Sequence, residues 1–109
     1  MCVVVSDDAP EAMLLQEALQ DVVSTTRLAL PNEIGEELWN TPGPRVLVGR
    51  GVEGVTALLP WMVLLQSLPN TATLAVVDAG ASEIVGTLLH FDAWLPGRTP
   101  AAIVARQVG

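Results

Sequence analysis

The stretch R-V-L-V-G-R-G-V-E-G, Arg45–Gly54, decides how this chain of 109 residues is interpreted. Its first part is apolar without polar alternation, which is typical of a strand buried on both faces of a parallel sheet. The glycines that follow, Gly49, Gly51 and Gly54, have the G-x-G-x-x-G spacing of a dinucleotide-binding loop, which also comes after a strand. We predict a strand over Arg45–Val48 and a loop from Gly49 to Gly54.

The rest of the chain predicts five strands alternating with five helices. The predicted strands are Cys2–Val5, Thr25–Leu30, Arg45–Val48, Thr73–Val77 and Ala93–Leu95; the predicted helices are Pro10–Gln20, Glu33–Trp39, Val55–Leu68 with a break at Pro60, Ala81–Phe91 and Pro100–Gln107. This alternation predicts a parallel sheet covered on both faces, with right-handed crossovers, and therefore a doubly wound α/β domain. In that class, ligands and chemistry lie at the carboxyl ends of the strands. Those ends carry Asp7 and Asp8, Gly49 and Arg50, Asp78, and the segment 96–98.

Composition narrows the possible partners. The chain is 50% hydrophobic, with a mean hydropathy of +0.47 and a formal net charge of −7. Its five basic residues are all arginines and are scattered, so direct binding of nucleic acid or of an anionic membrane is not expected. The single cysteine, Cys2, excludes an internal disulfide. Without a signal-peptide pattern or a membrane-span pattern, we expect one cytoplasmic domain over residues 1–109.

Three pieces of the chain resemble the receiver domains of response regulators. Val3–Asp8 resembles the first strand of that family, which ends in an acidic pair, and Arg45–Val48 falls at its third strand. Ser82–Leu89 and Phe91–Pro96 resemble the fourth helix and the fifth strand. The resemblance covers nearly the whole chain. It implies a flavodoxin-like, receiver-like fold with five parallel strands in the order 2-1-3-4-5.

Most of the family's switch residues have no counterpart. In receiver domains the acidic pair binds magnesium with an aspartate that ends the third strand and accepts a phosphoryl group; a Thr or Ser ends the fourth strand, and a Lys follows the fifth. Here the acceptor position falls on Arg50, or on Gly49 one residue earlier. The hydroxyl position falls on Asp78 and the lysine position near Gly97, and the chain contains no lysine. The resemblance therefore implies a degenerate member, a pseudo-receiver.

Arg50 suggests what replaces the metal. We expect a vestigial acidic pocket formed by Asp7, Asp8, Arg50 and Asp78, in which the guanidinium makes a permanent ion pair where magnesium would lie. The plainer alternative is that Asp8, which stands three residues before Glu11, caps the first helix. Asp7 would then be solvated, and Asp78 would be an ordinary loop carboxylate. No catalytic residue, metal or cofactor is indicated.

The segment Leu58–Leu65 is apolar almost all round, whereas a surface helix is normally amphipathic. Either another segment covers it or it contacts a partner. We favour an association surface that includes Trp61, Met62 and Leu65, because Trp and Met are typical interface residues.

These features favour a non-enzymatic signalling module that acts through protein contacts without phosphorylation. The partner is expected to be another protein or a second copy, in a two-component or transcriptional setting whose DNA-binding part lies outside this chain. The alternative is a small-ligand or nucleotide-binding domain that uses the Gly49–Gly54 loop and Asp78. A third possibility is phosphorylation of another carboxylate, such as Glu53.

Overall fold

The computed structural model describes residues 1–35, 44–78 and 91–108. The strands are β1 (Cys2–Val5), β2 (Thr26–Ala29), β3 (Arg45–Arg50), β4 (Thr71–Val76) and β5 (Ala93–Leu95). The helices are α1 (Ala9–Leu19), α2 (Gly51–Leu58), α3 (Met62–Ser67) and α4 (Ala101–Val108), with 3-10 turns at Pro31–Glu33 and Leu59–Trp61.

The five strands form one parallel sheet in the order β2-β1-β3-β4-β5. Both the strand order and the doubly wound α/β architecture that were expected from the sequence are confirmed. The order places β3 in the centre, so its carboxyl end lies between those of β1 and β4. Arg50 therefore emerges at the point where the chain reverses its direction of winding, which is the usual binding crevice of such sheets.

The loop predicted over Gly49–Gly54 is wrong. Gly49 and Arg50 still belong to β3, and Arg50 pairs in register with Val76 of β4. Helix α2 then begins at once with Gly51, whose φ of +74° is a conformation that glycine adopts without a Cβ penalty. Because pairing with β4 continues to the last residue of the strand, no loop separates strand from helix.

Two other predicted elements changed or fall outside the described residues. The break expected at Pro60 is present, because α2 gives way there to a 3-10 turn before α3 begins. The predicted helix Glu33–Trp39 is replaced at its start by the turn Pro31–Glu33, and residues 36–43 lie outside the described part. The predicted helix Ala81–Phe91 also falls almost entirely outside it.

The core has two halves, one on each face of the sheet. Alternate residues of β1 point to opposite sides, so Val3 and Val5 join one half while Cys2 and Val4 join the other. The first half packs α2 and α3 against the sheet through Val55, Leu58, Met62 and Leu65. The second half packs α1 and α4 through Ala12, Leu15, Leu19, Val104 and Ala105. Burial on both faces explains the high hydropathy of the chain.

Two glycines set how closely α2 approaches the strands. A Cβ on Gly54 would overlap the carbonyl oxygen of Val5, because the helix backbone lies directly against β1. A Cβ on Gly49 would lie 3.1 Å from the Cα of Val55. The spacing of these glycines therefore has a packing explanation within the fold.

Candidate functional site

An open pocket of about 400 Å³ lies at the carboxyl ends of β1, β3 and β4. It is lined by Ser6, Asp7, Asp8, Glu11, Arg50, Gly51, Val52, Val76, Val77, Asp78, Gly97 and Arg98. All four members of the expected acidic pocket are thus part of its wall. Four carboxylates and two guanidinium groups line it, so the wall carries more negative than positive charge.

Arg50 is the unusual residue of this wall, because a charged side chain is rarely buried. Only 9% of Arg50 is exposed. Its Nη2 atom forms an ion pair with Oε2 of Glu11, which comes from the first turn of α1. Its Nη1 atom is buried and has no hydrogen-bond partner among the described residues. The ion pair therefore joins the end of β3 to the start of α1 across the top of β1.

The ion pair differs from the one expected. Within the described residues, Arg50 makes no ion pair with Asp7, Asp8 or Asp78; its partner is Glu11. The sequence indicated Glu11 only as a possible capping residue. A usable signal was present, because the strand order 2-1-3 brings the first turn of the first helix beside the end of the third strand.

Asp8 caps α1. Its Oδ1 accepts a hydrogen bond from the backbone N–H of Glu11 at 3.2 Å, and its own N–H donates to Oγ of Ser6 at 3.0 Å. In a full capping box the Glu11 side chain would reach back to the N–H of Asp8. Ser6 takes that role here, which leaves the Glu11 carboxylate for Arg50. Asp7, which lies between Ser6 and Asp8 in the sequence, is exposed.

Asp78 is tied to the loop that follows β5. Its Oδ1 accepts a hydrogen bond from the backbone N–H of Gly97 at 3.1 Å. One residue earlier, the carbonyl oxygen of Val77 accepts a hydrogen bond from Nε1 of Trp94 at 2.9 Å. A Cβ on Gly97 would lie 3.1 Å from the Asp78 carboxylate, so the absence of a side chain permits this approach. The two bonds link the ends of β4 and β5.

Of the three glycines proposed as a ligand loop, only Gly51 lines the pocket. Gly49 and Gly54 face the interior, where their missing side chains let α2 pack on the sheet. Only Gly51 of the three is therefore placed to contact a ligand in this pocket. What does open into the pocket is the amino-terminal turn of α2, whose N-cap residue, Arg50, makes no side-chain capping bond.

The proposed association residues also need correction. Met62 and Leu65 are buried in the core beneath α3, and Trp61 is half-buried against the same core. A surface built on Met62 and Leu65 is wrong, because helical geometry turns these two residues towards the sheet. The exposed apolar residues of α3 are Val63 and Leu64. Because the segment Leu58–Leu65 is apolar all round, its composition does not reveal which residues face inward.

In ranges 1–35, 44–78 and 91–108, no three or more His, Cys, Asp or Glu side chains are grouped so that they could hold a metal ion. No helix in these ranges is long and apolar enough to cross a membrane.

Comparison with known proteins identifies the fold. No family model matches the chain, and no curated protein matches it. Among solved structures, the Mn²⁺-bound form of response regulator Rcp1 is similar, with a TM-score of 0.51 and 15% sequence identity. The similarity covers 98% of this chain and 87% of that one. At this level of identity the match shows a receiver-like fold, in agreement with the resemblance seen in the sequence.

Proposed function

We propose that this domain is a signalling or regulatory module that acts through protein contacts and without phosphorylation of its own residues. The observation that carries the proposal is the buried guanidinium of Arg50, paired with the half-exposed carboxylate of Glu11 at the carboxyl end of the central strand. A receiver domain needs a carboxylate acceptor at this position. Here the position holds the guanidinium of Arg50, which has no carboxylate oxygen to accept a phosphoryl group.

The surrounding residues support the same proposal. Magnesium prefers oxygen ligands, usually carboxylates and water. These residues do not fit that ion well, because Arg50 brings a positive charge into the wall, while Asp8 and Asp78 already accept backbone hydrogen bonds. The chain also has no lysine to contact a phosphoryl group. A pocket with these features resembles a receiver site fixed in one state.

A module of this kind would serve a two-component or transcriptional system by binding another protein or a second copy of itself, in the cytoplasm and without catalysis. The receiver-like fold and the absence of clustered arginines support this role rather than direct binding of nucleic acid.

The decisive experiment is incubation with acetyl phosphate and magnesium, followed by intact-mass measurement. We expect no added phosphoryl group, while an active receiver domain treated in parallel gains one. Labelling of this chain would contradict the proposal. If labelling occurred, its loss in Glu53→Gln would identify the exposed Glu53 of α2 as the acceptor.

A nucleotide or small anionic ligand is the second candidate, because the pocket has a volume typical of ligand sites and the first turn of α2 opens into it. The excess of carboxylates in the wall and the enclosed Gly49 and Gly54 weigh against it. Thermal unfolding with nucleotides separates the candidates, since a ligand that binds the native state raises Tm and a nonbinding nucleotide does not.

A further inference from the structure

A second pocket lies at the opposite edge of the sheet, where β3 and β4 begin. Its volume is about 510 Å³, compared with about 400 Å³ for the pocket at Arg50, and falls within the roughly 300–1,000 Å³ typical of small-molecule sites. It is lined by Met1, Val22, Val23, Pro44, Arg45, Val46, Asn70, Thr71, Ala72 and Val108. The two pockets share no lining residue, so they are separate sites.

The wall of this second pocket is mainly aliphatic. Val23, Val46 and Val108 are partly buried and pack against the half of the core that holds α1 and α4. Val22 is 40% exposed, and Ala72 is exposed as well. An aliphatic ligand placed here would cover apolar surface that water now contacts, which favours binding.

Arg45 gives this aliphatic wall a positive charge. Only 8% of the residue is exposed, and a charged side chain is rarely buried to this extent. Among the described residues that line the pocket there is no Asp or Glu, although the whole chain contains twelve. Asp92 lines a neighbouring pocket, but its Oδ2 accepts a hydrogen bond from the backbone N–H of Thr73 at 2.8 Å. The charge of the wall therefore favours a negative ligand.

We propose that this pocket binds a small aliphatic carboxylate, with its charged end at Arg45 and its hydrocarbon against Val23, Val46 and Val108. A guanidinium presents its N–H donors in a fork that matches a carboxylate and allows two parallel hydrogen bonds. One cation suits one negative charge, whereas a phosphate dianion would bring a second charge into an apolar wall. The inference goes beyond the proposed function and does not depend on the state of Arg50.

Backbone pairing holds Arg45 in place at the start of the central strand. Arg45 pairs in register with Thr71 of β4, and its backbone N–H donates to the carbonyl oxygen of Asn70 at 2.9 Å. The hydroxyl of Thr71 donates to the carbonyl oxygen of Pro69 at 3.2 Å, so its proton is already used. Arg45 is therefore expected to make the main polar contact with the ligand, from a strand that does not need to move.

The test is a titration of the ¹⁵N-labelled whole chain with sodium octanoate to millimolar concentration, followed through backbone amide chemical shifts. We expect saturable shifts at Val23, Val46 and Ala72, and none at Gly51 or Gly97 in the pocket at Arg50. The probes 1-octanol and octylammonium carry the same hydrocarbon without the negative charge. Each should bind at least about tenfold more weakly than octanoate, because the charged hydrogen bonds to arginine are lost.

Two variants test the charge of the wall. Val22→Asp changes an exposed residue, so the core stays intact, and its carboxylate should lower the affinity for octanoate about three- to tenfold by repulsion. Val63→Asp is the matched control, because it places the same charge on an exposed valine of α3 and should leave the affinity nearly unchanged. Arg45→Met should lower the affinity at least about tenfold, with circular dichroism verifying its fold.

Three results would overturn the inference: no saturable shifts at the lining residues, equal affinity for 1-octanol and octanoate, or equal effects of Val22→Asp and Val63→Asp. A short peptide that ends in valine with a free carboxyl group separates a free acid from the end of a polypeptide. Tighter binding of that peptide than of octanoate would refute the assignment to a small free acid. Uptake of a phosphoryl group from acetyl phosphate would contradict the proposed function alone and leave these expectations unchanged.

Discussion

The Arg50–Glu11 ion pair predicts an asymmetric response to mutation. Replacing Glu11 with Ala leaves a buried guanidinium that has lost its acceptor, whereas replacing Arg50 with Met leaves a carboxylate that water reaches. The side chain of Glu11 is 46% exposed, while that of Arg50 is nearly buried. The two single variants should therefore differ in stability although they break the same contact.

The expected magnitudes follow from these exposures. Breaking a fully buried pair by removing one partner costs about 3–5 kcal/mol, and an exposed pair contributes about 0–1 kcal/mol. A pair with one buried and one half-exposed member lies between, so Glu11→Ala should reduce the free energy of unfolding by about 2 kcal/mol. Arg50→Met should be neutral or stabilising, because it also removes the unpartnered Nη1 atom.

A double-mutant cycle measured by urea unfolding tests this reasoning. In the Arg50→Met background, Glu11→Ala should cost only its contribution at the start of α1, about 0.3–1 kcal/mol. Glu17→Ala, which removes an exposed carboxylate from the same helix, is the control and should cost little in either background. The reasoning is refuted if Glu11→Ala costs the same with and without Arg50.

Three further predictions concern stability. Gly54→Ala should lower the free energy of unfolding by about 3 kcal/mol or prevent folding, because its Cβ would overlap the carbonyl oxygen of Val5. Gly51→Ala should lower it by only about 1–2 kcal/mol, the penalty of a positive φ. Equal costs in urea unfolding would contradict the packing role of Gly54. Burial raises the pKa of the Cys2 thiol from 9.0 to about 11, against a small opposing effect of the terminal amine. Since the thiol ionises at lower pH in the unfolded chain, its contribution to stability is present below pH 9 and is lost as pH rises to about 11. The chain has no lysine or tyrosine, so Cys2→Ala should remove most of this loss of stability at alkaline pH. An unchanged pH dependence of the free energy of unfolding in Cys2→Ala would contradict this prediction. Asp92→Ala should lower the free energy of unfolding by about 1–2 kcal/mol, because Oδ2 of Asp92 accepts a hydrogen bond from the backbone N–H of the buried Thr73 at 2.8 Å. The control Asp21→Ala changes an exposed carboxylate and should be nearly neutral in the same urea unfolding measurement.

The sequence predicted the sheet well because its signals are local. Strands such as β1 and β5 are short apolar runs between turn residues, and their alternation with helices determines the architecture. The bounds of Cys2–Val5 and Ala93–Leu95 were predicted to the residue. Glycine spacing misled at the end of β3, because glycines that allow close packing and glycines that form a loop have the same spacing.

The site was harder to predict because it depends on contacts between distant residues. The carboxylates and Arg50 were placed at one edge of the sheet by strand order alone. Which carboxylate pairs with Arg50 depends on the competing bonds of Asp8 and Asp78, and no local pattern contains that information. The inward and outward sides of the segment Leu58–Leu65 were hard to predict for a related reason, since this segment contains no charged, amide or hydroxyl side chain to mark the solvent side.

The buried guanidinium also affects how long any state of this domain can last. A site that gains and loses a phosphoryl group has a lifetime set by the chemistry of that group. If the domain acts without phosphorylation, as proposed, it has no corresponding event and would persist until it unfolds or is degraded. Under the proposed function, the cell would then adjust the signal through the amount of the protein, and changes of one or two kcal/mol in stability would become changes in signal strength.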